Sequence, residues 1–183
     1  MTRDRRLLGR LVSFAALLFV AAGAHAQDLY TWNLAVLGGV GGSFDVKPGS
    51  NFGNASYQLD LSRNTELATQ VGVRLGHLSL DRKAFGSLSN AGLSYATVAG
   101  EYRFQETYYQ SGVFLGLGAY RLTGTDASGA KPSKTAIGGS VGFTGEFQLR
   151  RWLGLLVEVS GHYVDLKEAH IYGMAHGGLV VHF

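Results

Sequence analysis

Six ionisable side chains lie inside segments whose residues otherwise alternate between apolar and polar. They are four acids and two bases, namely Asp60, Arg74, Glu101, Arg103, Glu146 and Glu158. A charge that is taken out of water needs a partner of opposite sign, because the desolvation of an unpaired ion costs several kcal/mol. These residue types therefore predict a lattice of carboxylate–arginine ion pairs. Such a lattice would either fill and fix the interior of the fold or gate the passage of ions.

A second group of polar residues lies near the carboxyl end. If the connection 164–170 is symmetric, Glu158 lies opposite or nearly opposite His176, with Ser160 and His162 beside them. Serine, histidine and a carboxylate are the residue types of a hydrolase triad. Nothing in the sequence marks Ser160 as activated, so we expect a buried hydrogen-bonded cluster and assign no catalytic residue here. His176 is counted with the six charged residues as part of the interior network.

Metal and nucleotide sites find little support. His162, His170 and His182 do not have the spacing of a ligand set, and the chain has no cysteine for a disulfide scaffold or a thiolate-bound metal. The glycine-rich run 38–42 is not followed by a helical segment, as a phosphate-binding loop would be. We expect neither a metal nor a cofactor.

The amino terminus has the pattern of a secretory signal peptide. Arg3, Arg5, Arg6 and Arg10 precede an apolar run over residues 11–22, which is followed by Ala24-His25-Ala26. A basic segment, an apolar core of about a dozen residues and an A-x-A site predict cleavage after Ala26. The alternative is a retained anchor, but the run is shorter than the roughly 18 residues that a spanning helix needs.

Removal of this peptide changes the charge of the protein. The peptide holds four of the 16 basic and one of the 13 acidic residues, so 12 of each remain and the net charge falls from +3 to zero. The isoelectric point of about 9.2 thus belongs largely to the peptide. A neutral chain offers no excess of cations for phosphates, and we expect no nucleic-acid partner.

The rest of the chain alternates with the period of a β-strand. Eight segments show it: 29–42, 53–62, 67–80, 92–104, 109–120, 136–149, 152–163 and 171–183. Short polar turns are predicted at Arg63-Asn64, Gln105-Glu106 and Arg150-Arg151, and longer polar stretches lie between them, at 43–52, 81–91, 123–133 and 164–170. Alternating short turns and longer loops are typical of an up-and-down membrane barrel, with both termini in the periplasm and four loops outside.

The position of the charges decides which face would meet lipid. Every one of the six charges falls on the more polar face of its strand, together with small residues, namely Gly112, Gly116, Gly118, Gly138 and Gly142. Small residues suit a crowded interior. Aromatic residues gather near the short turns and termini, as in an interfacial girdle: Tyr30, Trp32, Tyr102, Phe104, Tyr109, Phe147, Trp152 and Phe183. The alternative is a water-soluble sheet protein in which the apolar face forms the core.

The chain ends on Leu179, Val181 and Phe183, which share one face of the last strand. This ending resembles the carboxyl-terminal assembly signal of bacterial outer-membrane barrels. Together with the predicted export peptide and eight strands, it makes the chain similar to the OmpA/OmpX-type small barrels. The resemblance implies an all-β, eight-stranded antiparallel up-and-down transmembrane barrel over residues 27–183, preceded by the signal peptide 1–26.

The same resemblance implies a place in the outer membrane of a Gram-negative-type bacterium. The expected partners are outer-membrane lipid, lipopolysaccharide and the barrel-assembly machinery, with no loop partner identified. We expect a structural or surface-interaction role, with the interior plugged by the charged network, and no enzymatic activity. The alternatives are a narrow conduit for small solutes and a lipid A deacylase, because eight-stranded deacylases also use an outward His-x-Ser motif such as His77-x-Ser79. Polar residues at the level of the lipid headgroups explain that motif equally well.

Overall fold

Eight β-strands of 11 to 18 residues make up the structure. The computed structural model describes residues 31–45, 52–66, 68–80, 88–105, 109–167 and 169–183. The strands are β1 (Trp32–Ser43), β2 (Asn54–Glu66), β3 (Thr69–Ser79), β4 (Ser89–Gln105), β5 (Tyr109–Thr125), β6 (Ser133–Arg150), β7 (Leu153–Val164) and β8 (Ile171–His182). Within these ranges no helix is long and apolar enough to cross a membrane.

The sheet closes on itself. Each strand pairs antiparallel with the next along the chain, and β1 completes the barrel by pairing with β8. The closing register places Leu34 opposite Val181 and Val40 opposite Ala175. Closure leaves no unpaired strand edge, so the ladder donors and acceptors are satisfied within the sheet. The predicted eight-stranded antiparallel up-and-down barrel is confirmed.

Some predicted boundaries were wrong. Arg63 and Asn64 do not form a turn; they continue β2, where Arg63 pairs with both Trp32 and Val71. Strands β4, β5 and β6 also extend beyond their predicted ends, because the strands remain paired beyond the point where the outward residues stop being apolar. On β5, for example, Thr123 faces outward and the apolar Leu122 faces inward. The predicted signal peptide, residues 1–26, lies outside the described residues.

The two ends of the barrel differ. At one end, here called the turn end, lie the start of β1, the end of β8 and the connections β2–β3, β4–β5 and β6–β7; the other is called the loop end. The predicted aromatic girdle lies at the turn end, where Tyr102 contacts Phe104 at 5.1 Å and Tyr109 contacts Phe147 at 4.8 Å between ring centroids. All of the predicted girdle residues are exposed except Tyr30, which lies outside the described residues.

The outer surface is apolar and the inner surface carries the charges. Leu115, Ile137 and Val157 are 69%, 81% and 42% exposed, whereas Glu146 and Glu158 are 4% and 2% exposed. A belt of this kind would be strongly unfavourable in water, because exposed apolar area costs about 25 cal/mol per Å². The arrangement is that of a membrane barrel, and the alternative of a soluble sheet protein is wrong.

Among the described residues, buried apolar side chains occupy the interior on both sides of the charged residues. At the loop end, buried side chains form an apolar layer that the sequence analysis did not predict: Leu78, Leu80, Leu88, Ala91, Leu93, Tyr95, Tyr120, Leu122, Val164, Leu166, Ala169, Tyr172 and Met174. A smaller cluster of Ala35, Leu37, Leu156 and Val180 lies towards the turn end. Three of the predicted inward glycines, Gly118, Gly138 and Gly142, are needed for space, since a Cβ there would lie 2.5 Å or less from a backbone carbonyl oxygen. At Gly112 and Gly116 a Cβ would crowd side-chain oxygens instead.

Candidate functional site

The interior network is centred on Arg74 of β3. Its Nε lies 3.0 Å from Oδ2 of Asp60 on β2, and its Nη2 lies 3.0 Å from Oε2 of Glu101 on β4. Its Nη1 reaches across the barrel to Oε2 of Glu158 on β7, at 3.4 Å. One guanidinium therefore contacts three carboxylates, and its contact with Glu158 joins strands that are not neighbours in the sheet.

Arg103 extends the network towards the turn end. Its Nε donates to Oε1 of Glu101 at 3.1 Å, and its Nη1 donates to Oε2 of Glu146 on β6 at 2.8 Å. The other oxygen of Glu146, Oε1, lies 2.7 Å from Nε2 of His182 at the end of β8. Nδ1 of His182 in turn lies 2.7 Å from Oδ1 of Asn33 on β1. The network thus reaches the strand pair that closes the barrel.

Towards the loop end, ion pairs are replaced by hydrogen bonds from uncharged side chains. Nε2 of Gln58 donates to both oxygens of Glu158, at 3.2 and 3.3 Å, and Oε1 of Gln58 accepts from the Tyr95 hydroxyl at 2.7 Å. Nearby, Nε2 of His176 lies 2.9 Å from Oγ of Ser56. These side chains form the floor beneath the apolar layer, to which Tyr95 itself belongs.

All seven residues predicted for the interior network are buried side by side in the barrel. Glu158 lies directly opposite His176 in the β7–β8 register, so that predicted pairing is confirmed. Its side-chain partners, however, are Arg74 and Gln58, whereas His176 contacts Ser56. A small pocket beside the network, lined in part by Asp60, Arg74 and Glu101, has a volume of about 10 Å³. That is room for roughly one water molecule.

Ser160 and His162 form a buried hydrogen-bonded cluster next to Tyr95, whose ring centroid lies 5.2 Å from that of His162. Nε2 of His162 lies 3.1 Å from Oγ of Ser160, and Nδ1 of His162 lies 2.9 Å from the Tyr120 hydroxyl. Both residues are buried within the barrel beneath Leu122 and its neighbours. The side chain of Glu158 contacts Arg74 and Gln58 instead. Ser160 and His162 thus form a hydrogen-bonded cluster, as the sequence predicts.

His77 faces outward at the loop end, as predicted, but its hydrogen-bond partner is not Ser79. Nδ1 of His77 lies 2.9 Å from Oγ of Ser94 on β4, and Tyr57 stacks on the imidazole with 5.3 Å between ring centroids. Ser94 was not predicted as this partner, because a cross-strand neighbour depends on the register. The register places His77 opposite Tyr57 on β2 and Ser94 on β4.

The carboxyl-terminal residues follow the predicted face of β8. Leu179 and Phe183 are exposed, and Val181 is half-buried opposite Leu34 and Leu153. Among the residues that the sequence analysis missed, Gln58 shares a face with Asp60, and His182 follows Val181 directly. Within the described ranges, no group of three or more His, Asp or Glu side chains is placed to hold a metal ion.

Comparison with known proteins identifies the fold. No family model matches the sequence, and no curated protein matches it. Among solved structures, Neisserial surface protein A is similar with a TM-score of 0.70 at 15% identity, covering 83% of this chain and 97% of that one. A major outer membrane protein from Thermus thermophilus has a TM-score of 0.58 at 12% identity, covering 87% and 100%.

A third similar structure is Ail, the attachment invasion locus protein of Yersinia pestis, in complex with the heparin analogue sucrose octasulfate. Its TM-score is 0.52 at 14% identity, covering 84% of this chain and 99% of that one. At such identities the likeness concerns the path of the backbone. The chain therefore has the fold of the small eight-stranded barrels of the bacterial outer membrane.

Proposed function

We propose that residues 27–183 form an integral outer-membrane protein, exported by the signal peptide 1–26, whose closed barrel serves as an anchor for a surface at the loop end. The observation that carries this proposal is the filled interior. The Arg74 network occupies the middle of the barrel and the apolar layer occupies its loop end. With eight strands, side chains are sufficient to fill a barrel interior. The proposed role is structural or one of contact at the cell surface, and neither role requires an open pore.

Planar-bilayer recording distinguishes the plug from a conduit. Purified, folded protein added to a phospholipid bilayer gives no unitary conductance above background, because the side chains of Arg74 and its carboxylate partners span the barrel between β3 and β7. The variant Arg74→Ala, which removes the central side chain, serves as a sensitivity control for small currents. Reproducible single-channel steps from the wild-type protein would overturn the plug and favour the conduit.

Amine labelling of intact cells tests the orientation. Lys131 and Lys167 are exposed in the loop-end connections. The turn-end segments 63–69, 105–109 and 150–153 contain no lysine. A membrane-impermeant amine reagent should therefore modify these lysines on intact cells if the loops lie outside. Modification only after the outer membrane is broken would reverse the orientation.

We also propose that Leu179, Val181 and Phe183 are read by the barrel-assembly machinery. Their support is position: they lie on one face of the last strand, and Leu179 and Phe183 are exposed. Phe183→Ala should lower the amount of heat-modifiable barrel in membranes, whereas Trp152→Ala, another exposed aromatic residue at the turn end, should leave it near the wild-type amount. Equal effects of the two changes would make Phe183 only a girdle residue.

A catalytic role is not proposed for His77. Its hydrogen bond to Ser94 provides two of the groups that an acyl hydrolase uses, and the described contacts of His77 include no carboxylate. Lipid A mass spectra from cells that express the wild-type protein, His77→Ala or Ser94→Ala should be identical. Loss of an acyl chain that depends on both residues would establish the deacylase instead.

A further inference from the structure

A broad groove runs along the outer surface of β5, β6 and β7. Its volume is about 830 Å³, and it is walled by apolar side chains that include Leu117, Val141, Tyr163 and Ile171. Two outward glycines, Gly139 and Gly161, lie along its floor. A Cβ on Gly161 would meet nothing within 4 Å, and one on Gly139 would make only ordinary contacts at 3.5 Å. Local packing therefore does not require glycine at either position. A larger side chain at either one would, however, fill part of the groove.

A second concavity lies further towards the loop end, on β4, β5 and the β5–β6 hairpin. Its volume is about 520 Å³, and its lining includes Arg121, Lys131, Thr123 and Ser133. Arg121 and Lys131 are exposed, and Nε of Arg121 donates to Oγ of Ser133 at 2.7 Å. The neighbouring carboxylate, Asp126, accepts hydrogen bonds from Ser128 and Ala130 within the β5–β6 hairpin. The concavity therefore presents cationic and hydroxyl groups.

The groove and the concavity follow one another along β5, on either side of the border of the apolar belt. Along the outward face of β5, Arg121 comes four residues after Leu117, a distance of roughly 13 Å along a strand. On β6 the outward residues change from Thr135 to Ile137, which is 81% exposed. Arg121 thus lies where a lipid headgroup would be, directly beyond a groove in which an acyl chain could lie.

We propose that this surface is a binding site for one phosphorylated glycolipid of the lipid A class. The phosphate contacts Arg121 and Lys131, and one acyl chain occupies the groove over Gly139 and Gly161. A guanidinium binds phosphate through paired, charge-assisted hydrogen bonds. Charge complementarity selects this occupant over a zwitterionic phospholipid because the lipid A phosphates carry a net negative charge, whereas the phosphate of phosphatidylcholine is neutralised by its own choline cation. The proposal rests on the outer-membrane location given above, because that is where such a lipid meets the loop end.

Native mass spectrometry of the folded, full-length protein tests the site. The probes are bis-phosphorylated lipid A, dephosphorylated lipid A and phosphatidylcholine, each added at equal concentration. The wild-type protein should retain one bis-phosphorylated lipid A at least about tenfold more strongly than either of the other lipids. Arg121→Gln combined with Lys131→Gln should abolish this preference, and Gly139→Leu combined with Gly161→Leu should abolish retention.

The matched control is Gly38→Leu combined with Gly177→Leu. These two glycines face each other on β1 and β8, and a Cβ on either would also meet nothing within 4 Å. The control should bind lipid A like the wild-type protein. Equal retention by the groove variant and the control, equal retention of the dephosphorylated lipid, or a groove that proves to be buried in a dimer of this chain would overturn the proposal.

Failure of the site is distinguishable from failure of the proposed function. A protein that inserts into vesicles and is heat-modifiable, but lacks lipid selectivity, would refute the site alone. A protein that does not insert would refute the outer-membrane anchor. If the groove variant does not fold, the exposed pair Arg121→Gln and Lys131→Gln still decides the question, because neither side chain is buried in the barrel.

Discussion

The guanidinium carbon of Arg74 lies 3.5 Å from the centroid of the Phe114 ring, inside the barrel. The aromatic face covers a cation whose nitrogens contact Asp60, Glu101 and Glu158. A buried cation gains from an aromatic face because the ring quadrupole replaces part of its lost hydration. The side chain of Arg74 on β3 therefore contacts residues of four other strands, β2, β4, β5 and β7.

Replacement of Arg74 should destabilise the barrel strongly. Arg74→Met leaves three buried carboxylates without their common partner, and the loss of one member of a buried ion pair typically costs about 3–5 kcal/mol. Arg63→Met is the matched control, because Arg63 also lies over an aromatic ring, that of Trp32 at 5.7 Å, but is exposed at the turn end. Its cost should be below about 1 kcal/mol.

Urea unfolding in phospholipid vesicles measures both changes. Adding Asp60→Asn, Glu101→Gln and Glu158→Gln to Arg74→Met should recover part of the loss, since neutral amides are cheaper to bury without a cation than carboxylates. Equal stabilities of Arg74→Met and Arg63→Met would mean that the interior network does not hold the barrel together.

Alternation along the chain was sufficient to predict eight strands and the face on which each charge lies. It could not predict which charges meet. Arg74 and Glu158 are brought together only by closure of the barrel, a contact between β3 and β7 that no local pattern contains. The partner of His77 was missed for the same reason, since Ser94 becomes its neighbour only through the β3–β4 register.

The apolar layer was missed for a different physical reason. Leu122 lies on the same face of β5 as Gly112 and Phe114. The alternation of the strand predicts that these residues share a face, but it does not predict which residues of other strands surround each of them. An interior that is charged in the middle and apolar at one end therefore has no simple signature. The extensions of β5 and β6 were missed because the outward face becomes polar there, as at the paired residues Thr123 and Ser133. On β5 the inward Leu122 is apolar, so the apolar residues change face and the alternation changes phase.

Inward and outward glycines should respond oppositely to a methyl group. A Cβ on Gly142 would lie 2.5 Å from the Val159 carbonyl oxygen and 2.5 Å from the Phe114 ring, whereas one on Gly38 would meet nothing within 4 Å. Gly142→Ala should cost about 1–3 kcal/mol, as overpacking does. Gly38→Ala should be neutral or stabilising, because glycine loses more freedom on folding. Urea unfolding compares the two, and an equal effect would argue against a crowded interior.

The Asp45 carboxylate ties the two loops that flank the closing seam. It accepts hydrogen bonds from the backbone N–H groups of His170 at 2.6 Å and Ile171 at 3.2 Å, and from the Ser43 hydroxyl at 2.9 Å. Partial burial alone would raise the pKa of Asp45, but these hydrogen bonds outweigh it and lower the pKa below its usual value of 3.8. A lowered folded-state pKa means that the ionised carboxylate stabilises the fold.

That stabilisation is fully present above about pH 5 and is lost as the pH falls through 3.8 towards the lower folded-state value. Asp45→Asn should therefore reduce stability near pH 7, by less than about 1 kcal/mol because the group is exposed to solvent. The difference from the wild-type protein should shrink below pH 4. Unfolding measured from pH 3 to 7, with Asp165→Asn as the exposed control, tests this; a difference that grows in acid would contradict it.

The most direct test of the inside-out barrel uses nitroxide labels on single cysteines, which the chain accepts cleanly because it has none of its own. Leu115→Cys and Val157→Cys should be labelled in the protein folded into phosphatidylcholine vesicles, with Lys131→Cys as the aqueous reference. Nitroxides at 115 and 157 should collide readily with oxygen and poorly with a water-soluble nickel chelate, whereas the label at 131 should do the reverse. Nickel accessibility at 115 and 157 equal to that at 131 would contradict a lipid-facing apolar belt and with it the account of the interior network.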